Sequence, residues 1–355
     1  MQKMIYNSVR TILFLLSLLF VLSCSQEEIG DLKDTLYVRH KGADMPAHIY
    51  GNASEKVFLL ILHGGPGGDG LSFRAGTIKS KIEKEYAVVY YDQRGSGMSQ
   101  GRYSKDGISI DIMAEDVLAL AKVIRHKYGN DSQIFLMGHS WGGALGTAVM
   151  LKDQDVFSGW IEVDGAHDPK GLYFEYPKNF KRVANEQIEA NRSISYWEGI
   201  KNKITALDTT AYNNDDFYEM NDVAADTEEK LVDDKIVYKI NSDIIREVIV
   251  AGLFKNNLLT VNWNGGNTGD ILVEDQGVFE KLSFTDRLNE ITVPSLIIWG
   301  KYDMVIPPKF AQDAFDAIGS SSKKLVIFEN SGHNSMFNEP DLFAQVVIDF
   351  IDENK

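Results

Sequence analysis

Apolar residues recur along this chain in two alternating rhythms. Short, nearly continuous apolar runs at 57–62, 86–91, 133–137, 157–163, 295–299 and 324–328 read as strands buried on both faces. Two shorter runs, at 35–40 and 46–50, precede them as further strands. Between these runs the period changes: Met113, Val117, Leu120 and Ile124 recur at spacings of 4, 3 and 4, which predicts a helix with one buried face. Helical patterns also cover 144–151, 308–318 and 341–353. Strands alternating with helices predict an α/β fold whose mostly parallel central sheet is flanked by helices on both faces. The alternation stops at 169–287, where the tone is helical and no buried strand is evident. That stretch is expected to be a helical cap inserted late in the sheet, with 35–168 and 288–355 forming the core.

Charge sharpens this picture. The 355 residues include 36 Lys+Arg and 51 Asp+Glu, a net charge of −15. Binding a phosphate backbone needs a basic face that displaces counterions, so a nucleic-acid partner is excluded. Residues 205–243 carry eleven acidic and three basic side chains, which makes the cap the acidic part of the molecule.

The amino terminus differs from the rest. Lys3 and Arg10 precede an apolar run from Ile12 to Leu22, too short to cross a bilayer but suited to the centre of an export signal. Val21-Leu22-Ser23-Cys24-Ser25 follows, and Cys24 is the single cysteine of the chain. This segment resembles the lipobox of bacterial lipoproteins, which implies cleavage after residue 23, lipidation of Cys24 and a polar tether over 24–34. The expected location is outside the cytoplasm, anchored to a bacterial membrane on its periplasmic face or at the cell surface. With no other thiol, neither disulfides nor thiolate metal sites are expected; no metal or cofactor is implied.

Gly138-His139-Ser140-Trp141-Gly142 fits G-x-S-x-G between a predicted strand and a predicted helix, the setting that holds a serine hydroxyl clear of the sheet at a helix N-terminus. A second copy, Gly97-Met98-Ser99-Gln100-Gly101, lacks a strand running into it and a helix after it, so Ser140 is the expected nucleophile. A serine needs a base, and in this setting the chain order is Ser, acid, His. Of seven histidines, His167 and His333 follow Ser140. His333 lies just past the run at 324–328, Asp303 just past 295–299, and Asp164 just past 157–163. The expected set is Ser140, Asp303 and His333, with Asp164 the reserve acid. His63-Gly64-Gly65-Pro66-Gly67 directly follows the 57–62 strand, where the amides of Gly65 and Trp141 would face a developing oxyanion. The same glycines match a dinucleotide fingerprint with Asp92 at ribose-binding distance. Pro66 lacks the N–H that such a phosphate loop requires, and a serine elbow has no place in a nicotinamide enzyme.

Together with Asp92-Gln93-Arg94-Gly95-Ser96-Gly97-Met98-Ser99, Gly300-Lys301-Tyr302-Asp303 and Ser331-Gly332-His333, these motifs resemble the prolyl iminopeptidase-like α/β-hydrolases from about residue 36 to 352. The resemblance implies a serine aminopeptidase that releases the first residue, proline being one candidate, from short peptides through an acyl-enzyme. In such enzymes carboxylates of the cap hold the substrate's free amine, and Tyr196-Trp197-Glu198 looks like the cap motif that supplies one. Glu198 is the expected amine anchor, and Tyr173, Phe174 and Tyr176 the expected apolar slot. An esterase, amidase or lactonase with the same triad and no amine requirement is the alternative; a surface binding module without turnover is a third reading.

Overall fold

In the computed structural model, which describes residues 31–101, 105–206 and 211–355, nine strands form one sheet. They are β1 (Leu32–His40), β2 (Ala43–Gly51), β3 (Val57–Leu62), β4 (Ala87–Tyr91), β5 (Gln100–Gly101), β6 (Gln133–His139), β7 (Gly159–Val163), β8 (Ser295–Gly300) and β9 (Lys323–Phe328). Their spatial order is β1-β2-β4-β3-β6-β7-β8-β9, with the two-residue β5 paired to β2. Contacts of β2 with β1, β4 and β5 are antiparallel, and all pairings from β4 through β9 are parallel. The register aligns the strand ends. Leu62 lies opposite Tyr91 and Gly138, Val163 opposite His139 and Ile298, and Gly300 opposite Phe328. The loops after β3, β4, β6, β7, β8 and β9 therefore all open on one carboxyl edge, the usual place for a ligand crevice in such sheets.

The longer helices are α1 (Ile110–Tyr128), α2 (Trp141–Asp153), α3 (Pro169–Glu189), α4 (Ile194–Thr205), α5 (Asn214–Asp233), α6 (Ser242–Lys255), α7 (Leu258–Gly269), α8 (Lys309–Ala317) and α9 (Pro340–Asn354). In α1 the predicted stripe Met113, Val117, Leu120 and Ile124 is buried, and Ser109 caps the first turn by accepting from the Ile112 amide at 3.3 Å. Alternate residues of β3 feed two cores. Phe58, Leu60 and Leu62 pack on the face covered by α1 and α2, while Leu59 and Ile61 pack with Phe343, Val347 and Phe350 of α9 on the other.

Helices α3 to α7 lie between β7 and β8 and rest on the carboxyl edge. Asn179 of α3 donates to the Asp303 carbonyl (3.0 Å), Asn264 of α7 to the carbonyls of Gly97 (3.1 Å) and Ser99 (2.9 Å), and Thr268 to that of Gly95 (2.6 Å). Two boundaries differ from expectation. β1 starts at Leu32, which pairs with Gly51, so 32–34 belong to the sheet instead of a tether over 24–34; Asp34 is held there by the Tyr128 hydroxyl (2.6 Å) and by Lys127. The run at 157–163 forms a strand only from Gly159, a 3-10 turn occupying 154–156. The export signal at 1–23 and Cys24 lie outside the described residues.

Candidate active site

Ser140 occupies the single-residue turn between β6 and α2, with φ 55° and ψ −122°. Such a left-handed angle is costly for a residue with a Cβ and persists only where the surroundings over-determine it. Here the Ser140 amide donates to the Val163 carbonyl (3.2 Å), and its carbonyl accepts from Gly143 (2.8 Å) and Ala166 (2.9 Å). Glycine is required at 142 because a Cβ there would strike the backbone of Leu62 and His63. Trp141 contributes the first amide of α2, which has no partner within the helix.

His333 and Asp303 meet at this edge. The His333 Nδ1 lies 2.9 Å from Asp303 Oδ2, and the other carboxylate oxygen accepts from the amides of Val305 (2.8 Å) and Ile306 (2.7 Å). With Nδ1–H donated to Asp303, neutral His333 keeps an unprotonated Nε2. Burial pushes the imidazole below its ordinary pKa, while the charges of Asp164 and Glu228 pull the other way. Burial likewise pushes Asp303 well up, against the two amides that hold it. His139, the residue before the serine, donates Nε2–H to the His333 carbonyl (2.8 Å), and the two rings stand 4.8 Å apart. The elbow and the loop carrying His333 are thus directly bonded. Burial next to His333 drives His139 down to about 3, so it stays neutral.

Other sequence candidates separate cleanly. Asp164 is fully buried and accepts from Gly300 N (2.7 Å) and from Ser335 Oγ (2.7 Å); it braces the two loops carrying Asp303 and His333 without touching the imidazole ring's Nδ1 position. His167 pairs with Glu162 at 2.8 Å inside the core. Ser99 is consumed in its own turn, its hydroxyl donating to the Ser96 carbonyl at 2.7 Å. Asp92 is 1% exposed and accepts from the amides of Gly70 (2.8 Å) and Met98 (2.7 Å), which leaves no carboxylate for a ribose. The glycine loop opens into a 3-10 turn at Leu71–Phe73, not the helix N-terminus a pyrophosphate needs.

Two cap assignments need correction. Glu198 is exposed on α4, since burying Trp197, Ile200 and Ile204 turns it to the solvent side of that helix. Tyr173 and Tyr176 are fully buried in the cap's aromatic cluster with Tyr212, Phe180 and Phe217, so they form packing instead of an open slot. The cap carboxylate that reaches the site is Glu228 of α5. It accepts from Met304 N (2.8 Å) and, on both oxygens, from His333 N (3.1 and 3.2 Å), and a Cβ at 332 would stand 2.6 Å from Glu228 Oε2, so a side chain there would displace the carboxylate. Burial, then the Asp303 charge, push Glu228 up to about 7 against His333 and these amides. Its signal was present: Phe217, Met220, Ala224 and Leu231 form the buried stripe of α5, and position 228 falls on it. A cavity of about 320 Å³ adjoins the elbow, lined mainly by Gly64, Gly65, Phe73, His139, Val248 and Phe337. Among the described residues no cluster of three or more His, Cys, Asp or Glu could hold a metal ion.

The chain belongs to the α/β-hydrolase family, whose sequence model matches residues 57–340. It is a serine hydrolase of the peptidase-like kind. It is 30% identical over 326 residues to the proline iminopeptidase of Saccharolobus solfataricus, spanning 89% of this chain and 92% of that one. Among solved structures, the proline iminopeptidase of Mycobacterium smegmatis superimposes with a TM-score of 0.60 at 19% identity, covering 90% of this chain and 98% of its own. An esterase from Exiguobacterium antarcticum shares the fold at a TM-score of 0.55 and 16% identity, over 90% of this chain and 100% of that one.

Proposed function

We propose that this chain is an aminopeptidase that releases the first residue of short peptides. Ser140 attacks the carbonyl of that residue, His333 Nε2 takes its proton, and Asp303 holds the imidazole in the required tautomer and stabilises the imidazolium. The amides of Gly65 and Trp141 receive the oxyanion, each worth about 2.7–4 kcal/mol of barrier. His333 then protonates the leaving amine, and water frees the acyl group.

The observation that carries the reading is Glu228, a carboxylate on the loops of both the acid and the base. The Met304 amide falls on Oε1 and the His333 amide is shared between Oε1 (3.1 Å) and Oε2 (3.2 Å), so Oε2 still keeps a lone pair for a substrate ammonium. The likeness to proline iminopeptidases supports proline as an accepted first residue. Purified protein assayed on aminoacyl amides with free and acetylated amino groups tests this: faster cleavage of the free amines is expected, and equal rates on both would remove the aminopeptidase reading. The alternative, an esterase or amidase without an amine requirement, is favoured by the mostly apolar cavity beside the elbow. The signal-like start and Cys24 support an exported, lipid-anchored protein; loss of radiolabelled palmitate on Cys24→Ala is the expected result.

A further inference from the structure

Resting on that serine-hydrolase reading, we propose that Gln93 is the positioning residue that sets the spacing between the two oxyanion amides. Its side chain spans both segments. Oε1 accepts from the Trp141 indole Nε1–H at 3.2 Å, and Nε2 donates to the His63 carbonyl at 2.8 Å. The assignment of oxygen and nitrogen is forced, since an indole N–H only donates and a carbonyl only accepts. The Gln93 backbone amide donates to His63 Nε2 at 3.3 Å, so that nitrogen carries the lone pair and Nδ1–H is free to donate to the Gly64 carbonyl at 2.8 Å. All three side chains are buried, and burial pushes His63 below its ordinary pKa, in keeping with a neutral ring.

The consequence is directional. In a trans peptide the carbonyl and the following N–H point opposite ways. Holding the Gly64 carbonyl on the His63 ring therefore turns the Gly65 N–H away from that ring. Gly64 itself stands against the nucleophile, a Cβ built there lying 3.1 Å from Ser140 Cβ. Through its other end Gln93 holds the Trp141 side chain, whose own amide opens α2 beside Ser140. Asp92, one residue earlier, clamps Gly70 and Met98, so Gln93 departs from a fixed point. No other amino acid of this length offers one donor and one acceptor at these two places. Gln93→Glu keeps the acceptor for Trp141 but sets a carboxylate oxygen against the His63 carbonyl, and Gln93→Met keeps the length with neither bond.

The test measures Gln93→Glu, Gln93→Met and Trp141→Phe in the full chain, with rates divided by the number of sites titrated by a fluorophosphonate. Removing an oxyanion donor outright costs about 10²–10³ in kcat, so displacing one is expected to lower kcat per titrated site about 10- to 100-fold with KM within about threefold. An aminoalkyl boronic acid, which forms a tetrahedral adduct on the serine, should weaken in step with kcat, while binding of the released amino acid stays unchanged. A purely structural role would lower the titrated fraction and leave kcat per site alone. Should the Gln93 variants yield no titratable protein, Trp141→Phe carries the test, with a fall of about 3- to 30-fold expected. Values of kcat per site within threefold of the parent, or equal weakening of boronic acid and product, would overturn the proposal. Ser140→Ala separates the two claims: if it remains active the hydrolase site itself is lost, and if it is inert while the Gln93 variants keep full kcat only the positioning role falls.

Discussion

Exchanging Glu228 for glutamine removes one charge and turns one of its two acceptor oxygens into a donor. Its Oε1 accepts from both Met304 N (2.8 Å) and His333 N (3.1 Å), so an amide oxygen in that place keeps both loops supported, while the amide nitrogen gives up the second, longer contact of Oε2 with His333 N (3.2 Å). What disappears is the carboxylate that would face a substrate ammonium. A hydrogen bond to a charged group at a partly buried position contributes about 1.5–3 kcal/mol. At about 1.36 kcal/mol per tenfold in rate, Glu228→Gln should lower kcat/KM on free-amine substrates by about 10- to 150-fold. Glu198 stands exposed on α4, where a comparable pair is worth about 0–1 kcal/mol, so Glu198→Gln should cost at most about fivefold.

The assay is kcat/KM on aminoacyl p-nitroanilides against their acetylated counterparts, read across pH. Glu228 titrates at about 7, and only its ionised form attracts an ammonium, so free-amine substrates should show an acid limb near pH 7. The acetylated anilides do not draw on the Glu228 charge and depend on His333, which works neutral and whose pKa is depressed by burial; their acid limb should lie below that of an ordinary histidine. Because the Glu228 charge raises the His333 pKa, the Gln variant should move the remaining limb lower still. An equal loss on free and blocked substrates, or a larger loss at 198 than at 228, would refute the assignment of the amine to Glu228.

Ser140→Ala should cost at least about 10⁴-fold in kcat and abolish fluorophosphonate labelling, checked by intact-mass spectrometry. Asp303→Asn should lower kcat by about 10⁴-fold by presenting the wrong tautomer of His333, whereas Asp164→Asn should act mainly on stability, read as a lower denaturant midpoint with labelling of Ser140 retained. Asp92 is held at about 7 by burial, against 3.8 unfolded, so the native state binds more protons than the unfolded state between about pH 4 and 7. Its contribution to stability therefore falls as pH rises through that window, and urea unfolding at pH 5 and 7 should show a smaller loss in Asp92→Asn than in the parent.

Much of the fold could be read from periodicity because burial on both faces leaves the parallel strands nearly continuous in apolar residues; β3 and β9 appear within a residue of their observed bounds. The elbow was legible for a local reason: a strand, one residue at positive φ and a helix leave no room for a Cβ at 142, so glycine marks it in the letters. Strand order also made Asp303 and His333 legible, since each follows a parallel strand and lands on the same rim. The sequence favours Asp303 and keeps Asp164 as the reserve, because both follow a strand that ends on that rim. Geometry separates them through the bonds each carboxylate already makes. Glu198 misled because a motif says nothing of which way a helix turns, whereas the buried stripe of α5 does.

On the proposed reading, that difference also assigns specificity to the cap. Ser140, Asp303 and His333 stand on the loops that leave β6, β8 and β9, strands whose spacing is fixed by the sheet's own hydrogen bonds. The helices between β7 and β8 carry no ladder, so a single position on a helix stripe can be exchanged without disturbing the register beneath. Glu228 joins the two layers, because it accepts from the residue after the acid and from the base itself. A substrate ammonium drawing on Glu228 Oε2 would thus be placed relative to His333 through one side chain. Recognition of the amine and alignment of the reacting carbonyl would then be the same event, so a substrate lacking the amine should lose kcat as well as affinity.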